Sequence, residues 1–510
     1  MTGGYFFTAA ASFPPPSRRL YNVAKLQPSQ HDVRPASLMR AFLFVLFTFT
    51  CLRAPAPCDA AVTTLVDNGP PSNRVDVVFI GDGYTQSDLT AGTYDGHIQS
   101  YVNYMFGPGG ALNDPFDRYA KFFNIHKIDL VSSQSGADKP TQGIFVNTAL
   151  DAAYGSSGLE RLLTISSTKA NTARNQNLVG TGITADMQLA VVNNTQYGGS
   201  GGSWAVFAGG SSSAHEIALH ELGHSFSNLA DEYTDLSGSY TGSEPTEPNA
   251  TKSATGAKWS RWSGFDDPRG SNLDISVFQG AKRYPTGAFR PSLNSKMRSL
   301  GQPFDAVSRE AFILDIYGFV NPLDGWLANS APITDGQFWV DIVDSVVQAV
   351  QWYVDGSLIA AATGEMFDAA ALALSPGNHA VRARVYDRAL DHVQQGGLLD
   401  LVRKDLSQLE QSITWTLSVA EPLPGDFNAD GVVDGLDLTV WSTHFGESPA
   451  SAPDGDGDAD GDVDGADFLI WQQGLTLAPD GGAQPVPEPA AWALAWLAIA
   501  CFAKRPARRP

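Results

Sequence analysis

The sequence predicts a multidomain protein: an α/β (α+β) domain, then an all-β sandwich, then a small α-helical module. Three observations carry this. In the first 320 residues, apolar β-branched runs such as 74–80 alternate with helical patterns. Between residues 325 and 420 short alternating segments separated by turns take over. Residues 426–467 hold two copies of an acidic loop, each leading into an apolar helix start. A chain of 510 residues can bury two to four separate cores.

In the first domain, residues 74–80 end at Gly81-Asp82-Gly83 and read as a buried strand, as do 127–131 and 187–192. A glycine cluster at 198–202 precedes 204–207. These last residues read either as a plain core strand or as one beside which an extended peptide adds as a further strand. Next comes His220-Glu221-Leu222-Gly223-His224. On a helix the two imidazoles share one face a turn apart, a reach that suits two ligands of one Zn²⁺. Glu221 projects beside them, placed to take a proton from a metal-bound water. Ile217, Leu219 and Leu222 give the helix an apolar side, and Ser211-Ser212-Ser213 offers N-caps. His215 lies outside the pattern and reads as a packing or surface histidine.

A third protein ligand is required. Asp231 lies seven residues past His224, about 10 Å along an unbroken helix and too far to share a metal with bonds of about 2 Å. The helix must therefore stop near Ser227-Asn228, with Asn228 as a left-handed C-cap, and the chain must fold back. Asp231 is the first choice of ligand, Glu232 the second, and Glu244 or Glu247 the third. Residues 234–290, rich in Gly, Ser, Thr and Pro, read as a long irregular stretch passing around the cleft. Residues 305–319 read as a helix with Val307, Phe312, Ile313 and Ile316 on its apolar side.

Residues 337–343, 349–354, 379–385 and 412–419 alternate as strands, with a turn at Asp355-Gly356, and suggest an immunoglobulin-like β-sandwich. The acidic repeat places oxygens at loop positions 1, 3, 5, 9 and 12, with glycine at 6. Its first copy uses Asp426, Asn428, Asp430, Asp434 and Asp437, with the Val432 carbonyl at position 7. Its second uses Asp456, Asp458, Asp460, Asp464 and Asp467, with the Asp462 carbonyl. Both read as EF-hand-like Ca²⁺ loops.

A formal charge of −21 and a pI near 4.7 argue against nucleic-acid binding. Cys51, Cys58 and Cys501 are the only cysteines and all lie in the terminal segments, which excludes a disulfide framework and a Cys nucleophile in the body of the chain. Met39-Arg40 and the apolar residues 41–52 read as a secretory signal that begins at Met39 and follows a Pro- and Ser-rich extension. At the far end, Val486-Pro487-Glu488-Pro489, an apolar stretch over 490–503 and Lys504-Arg505 form a three-part tail too short for an ordinary membrane span. The expected divisions are 1–60 (extension and signal), 61–322, 323–421, 424–476 and 484–510 (tail), with the body exported to the envelope or beyond.

The segment His-Glu-Leu-Gly-His-Ser-Phe-Ser-Asn-Leu-Ala-Asp-Glu-Tyr, residues 220–233, resembles the active-site segment of the IgA-peptidase family of zinc metallopeptidases (metallopeptidase family 64). Val77-Val78-Phe79-Ile80-Gly81-Asp82-Gly83-Tyr84-Thr85 resembles its first strand and turn, and Asn294-Ser295-Lys296-Met297-Arg298-Ser299 its Met-turn. The likeness covers about residues 73–320. It implies a zincin/metzincin-like catalytic domain acting on a protein or peptide substrate, with zinc on His220, His224 and Asp231, Glu221 as base and Met297 beneath the metal. Cysteines that often flank the Met-turn in that family are missing here, and the immunoglobulin substrate does not carry over. The acidic repeat resembles a type I dockerin, which implies a cohesin-like partner. The tail resembles a PEP-CTERM sorting signal, which implies membrane contact through the tail alone. The rival expectation is a non-catalytic extracellular binding or scaffold protein built on the sandwich and the repeat.

Overall fold

The computed structural model describes residues 62–108, 110–391 and 401–477, all inside one compact unit, Asp59–Pro510. The segments expected to form a leader and a sorting tail, with all three cysteines, lie outside the described residues. Among the described residues no helix is long and apolar enough to cross a membrane.

A six-stranded sheet in the order β1-β3-β2-β4-β6-β5 organises the first part of the chain. Its strands are β1 (Val62–Val66), β2 (Val75–Asp82), β3 (Phe123–Ile128), β4 (Met187–Val192), β5 (Gly199–Ser200) and β6 (Ala205–Ala208). The inner four are parallel, and the two edge strands are antiparallel to their neighbours. Every residue of β2 is buried, as expected of a parallel strand covered on both faces. Val75, Val77 and Phe79 point into one apolar cluster, Val78 and Ile80 into another, which is the two-residue side-chain period of a strand.

The helices are α1 (Gln86–Thr90), α2 (Thr93–Phe106), α3 (Ser167–Leu178), α4 (Ala214–Ser227) and α5 (Ala306–Phe319). The first face receives α2, α4 and α5, and the second receives Ala170 of α3 with Leu150, Leu163 and their loop. Residues 127–131 do not form the expected strand. It runs instead over β3, and Val131 is 53% exposed. The polar Asn124 and His126 break its apolar signature yet are buried, satisfied by Asp76 and Thr64.

The stretch 234–290 is not wholly irregular. It closes with a hairpin of β7 (Phe278–Ala281) and β8 (Tyr284–Arg290). Its turn residues Lys282 and Arg283 both have positive φ, 58° and 71°, without the Gly or Asn that signals such a turn in sequence.

Two further sheets follow. β9 (Leu323–Trp326), β10 (Gln337–Ile342) and β13 (Met366–Asp368) form one, in the order β13-β10-β9. β11 (Gln348–Val354), β12 (Ser357–Leu358), β14 (Gly377–Asp387) and β15 (Glu410–Val419) form the other, in the order β12-β11-β14-β15. Phe338, Trp352, Phe367 and Trp415 pack between them. The sandwich is fused to the first part. Val343, Val347, Ala349, Tyr386 and Leu390 belong to the same apolar cluster as α5. The buried Asp387 accepts from Tyr119 Oη (2.7 Å) and Tyr317 Oη (2.8 Å) and pairs with Arg118 at 2.8 Å.

The acidic repeat forms two loop–helix units with α6 (Gly435–His444) and α7 (Gly465–Leu477). Each unit clasps the other: Trp441 Nε1 donates to the Asp464 carbonyl at 2.8 Å, and Trp471 Nε1 to the Asp434 carbonyl at 2.7 Å.

Candidate metal centre

Helix α4 carries the His-Glu-x-x-His run. Ile217, Ala218, Leu219 and Leu222 bury its apolar side against β6 and α2. Ser213 occupies the N-cap position but makes no side-chain capping bond. Glu216 in the first turn instead gathers Tyr104 Oη, Lys296 Nζ (2.5 Å) and Gly301 N (2.6 Å), and its charge suits the positive end of the helix. At the other end Asn228 takes the left-handed conformation, φ 48° and ψ 40°, and its N–H bonds the Gly223 carbonyl. The helix stops at that point, as the spacing to Asp231 required.

The returning chain is fixed at several points. Ala230 bonds Asn249, the Asp231 carbonyl accepts from Lys282 N at 2.8 Å, and Glu232 N donates to the Met297 carbonyl at 2.9 Å. Asp231 Oδ1 thereby lies 3.2 Å from His220 Nε2 and 3.1 Å from His224 Nε2. One ligand atom from each of the three residues lies within 4.8 Å of the others.

The far side of each imidazole fixes its proton. His220 Nδ1 faces the Lys296 carbonyl at 3.0 Å, and His224 Nδ1 the Leu229 carbonyl at 2.6 Å. A carbonyl oxygen only accepts, so each Nδ1 must carry the hydrogen. The neutral ring then presents a lone pair on Nε2 toward Asp231. Two lone-pair nitrogens and a carboxylate aimed at one point fit a tetrahedral zinc, and the carbonyl supports are of the kind that orient metal-bound histidines. Burial opposes charge on His224, but the Asp231 carboxylate outweighs it and lifts the imidazole to about 9, so a cation held by the three groups would have to displace the Nε2 proton. Burial likewise raises Asp231, and the two imidazoles overcome it and hold the carboxyl far below its usual range.

Glu221 lies beside the cluster and lines a cleft of about 330 Å³ that also reaches Gly199, Ser200, Gly201, Asp231 and Tyr233. Burial raises its carboxyl above the ordinary value, with His220 and His224 opposing. Of the glycines beside it, Gly199 is sterically required, because a Cβ there would also meet the Val206 carbonyl at 2.8 Å, whereas Gly201 faces the free end of Glu221. A Cβ at Gly201 would stand 2.7 Å from Glu221 Oε2, and one at Gly199 would stand 2.4 Å from Ile217 Cγ2.

Of the other ligand candidates, Glu232 is wholly buried and turned toward Ser295 (2.7 Å) and Asn249 (2.9 Å). Glu244 accepts from Thr251 Oγ1 and Lys252 N, and Glu247 pairs with Lys282. His215 bonds Ser100 and stacks on Tyr104. Met297 is buried under α4, where a Cβ at Gly223 would meet its Sδ at 2.8 Å. Sequence reasoning missed the supporting parts: the Lys296 and Leu229 carbonyls, the Lys282 turn and the work of Glu232. Main-chain acceptors leave no residue-type signal.

In the acidic repeat, Asp456, Asp458 and Asp460 bring carboxylate oxygens within 4.8 Å of one another. Asp437 and Asp467 are buried and accept main-chain N–H bonds from their own loops: Asn428 and Asp434 in the first, Gly457 and Asp464 in the second. Asp434 caps α6 through Leu436 N. Val432 is half exposed, and Asp426 accepts from Asp430 N and Gly431 N.

A comparison with curated proteins finds none that matches the chain. A comparison with family models gives a match to the IgA Peptidase M64 family over residues 63–270. That span runs from the first edge strand through Asp231 and so contains the whole histidine–carboxylate cluster and Glu221.

Proposed function

We propose that this protein is an exported zinc endopeptidase. The observation that carries the reading is the convergence of His220 Nε2, His224 Nε2 and Asp231 on one point beside Glu221 in the wall of a cleft. The family match over residues 63–270 supports it. A zinc ion held by these three groups would acidify a water molecule and polarise the scissile carbonyl. Glu221 then takes the proton of the attacking water on its carboxylate and hands it to the leaving amine.

Zinc content per chain, measured for the parent and for His224→Ala and Asp231→Ala, tests the site without a known substrate. One zinc in the parent that both variants lose supports it. A folded parent that takes up no zinc refutes it and favours a binding module. Glu221→Ala should keep zinc and lose hydrolysis of a casein substrate, and full activity in that variant would refute the role of the base.

The acidic repeat is proposed to hold structural Ca²⁺ at Asp426, Asn428, Asp430, Val432, Asp434 and Asp437, and at Asp456, Asp458, Asp460, Asp462, Asp464 and Asp467. Its dockerin-like pattern supports docking to a cohesin-like partner. The leader and tail patterns support export and retention at the cell envelope.

A further inference from the structure

We propose that the cavity beside the metal cluster, walled by Arg161 and Arg298, recognises a carboxylate on the substrate next to the scissile bond. This rests on the peptidase reading of the cluster. The cavity holds about 270 Å³ and is lined by both arginines with Ile217, Leu300, His220 and Glu221. Neither guanidinium is committed to a strong partner. Arg283 already grips Asp235 through two bonds of 2.8 Å, and Arg161 stands off from that carboxylate at 3.6 Å with about half of its side chain exposed. Arg298 gives one N–H to the Glu232 carbonyl at 3.1 Å, and among the described residues no carboxylate lies within ion-pair distance of it. The neighbouring Lys296 does not contribute: its ammonium is buried and bound to Glu216 at 2.5 Å.

Two available guanidiniums at one cavity are unusual in a chain of net charge −21, where an acidic peptide would otherwise be repelled. Arginine pairs with carboxylates through two parallel bonds. Ile217 and Leu300 give the cavity an apolar wall for the methylenes of a glutamate side chain. A free chain terminus offers the same carboxylate chemistry.

Fluorescein-labelled alanine hexapeptides carrying one Glu or one Gln, with amidated ends, test this by anisotropy on the full-length Glu221→Gln protein supplied with zinc. Turnover is not needed. The Glu peptide should bind about tenfold more tightly than its Gln partner, and the preference should fall to within about twofold when Arg161→Gln and Arg298→Gln are added. Zinc content of that protein shows that the metal site has survived, and Arg161→Gln alone, on an exposed side chain, should remove part of the preference. A gain seen instead for the Gln peptide with a free terminus supports carboxylate recognition and assigns the carboxylate to the chain end. Equal binding of all three peptides, or a preference that survives loss of both arginines, overturns the proposal. Failure of the peptidase reading shows separately, as parent protein that binds these peptides and cleaves none.

Discussion

The Ser295 hydroxyl donates to Glu232 Oε2 across 2.7 Å, and this bond ties the residue after Asp231 to the turn that carries Met297. Burial raises the Glu232 carboxyl, reinforced by the Asp305 charge nearby. Glu232→Ala would remove the buried acceptor of the Ser295 hydroxyl and of one Asn249 N–H, leaving the Ala230–Asn249 and Met297–Ser295 bonds, at a cost of about 2–4 kcal/mol, and would loosen the segment that presents Asp231. The expected outcome is a lower melting temperature together with weaker zinc retention against a chelator. Unchanged zinc affinity would show that Asp231 is held by its other contacts alone.

Gly201→Ala separates folding from catalysis. The Cβ would meet Glu221 Oε2 at 2.7 Å and His224 at 3.2 Å, and the first of these is the free end of a side chain that can swing aside cheaply. The fold should lose less than about 1 kcal/mol, while the displaced base loses activity by tenfold or more. Denaturant midpoints beside kcat/KM on a casein-derived peptide check both halves.

Asp186 sets a pH dependence away from the cleft. Burial is the main cause that lifts its carboxyl from 3.8 to about 7, against the stabilising bond from Asp76 N. The unfolded chain ionises near 3.8, so the folded state binds the extra proton between that value and about 7. The contribution is complete below the lower value and is lost as pH rises through the upper one. Asp186→Asn keeps an acceptor for Asp76 N and removes the titration. The variant should gain roughly 2 kcal/mol over the parent between pH 4 and 8, after allowance for partial exposure. Parallel urea midpoints across that range would show no divergence if the carboxyl titrates normally.

Chelation probes the acidic repeat. Ca²⁺ at about a hundred times its dissociation constant would stabilise the folded loops by about 2.7 kcal/mol. Removal of calcium should therefore expose residues 420–480 of the full chain to limited proteolysis. Cleavage at the same rate with and without chelator would rule out calcium loops there.

The parts legible in the sequence were those with a period or a stop. β2 announced itself by its apolar run, and α4 had to end near Asn228 because Asp231 lay too far along a straight helix for the proposed ligand set. β3 is hard to place from sequence because Asn124 and His126 look like surface residues until Asp76 is seen beside them. The β7–β8 hairpin was missed because its turn uses Lys282 and Arg283 at positive φ, a strained choice that the contact of Lys282 with the Asp231 carbonyl accompanies. The sequence reading puts Asp231 first and Glu232 second, and in the structure the backbone turns Asp231 to the two histidines and Glu232 to Ser295 and Asn249.

The crossed indoles of the acidic repeat have a thermodynamic corollary. Trp441 of one unit reads the main chain of the other unit's loop at Asp464, and Trp471 returns the contact at Asp434. Any ion that orders one loop therefore also firms the anchor of the opposite helix. With calcium bound as proposed, the two loops are expected to fill cooperatively, and a tryptophan titration that moved in two separate steps would count against that linkage.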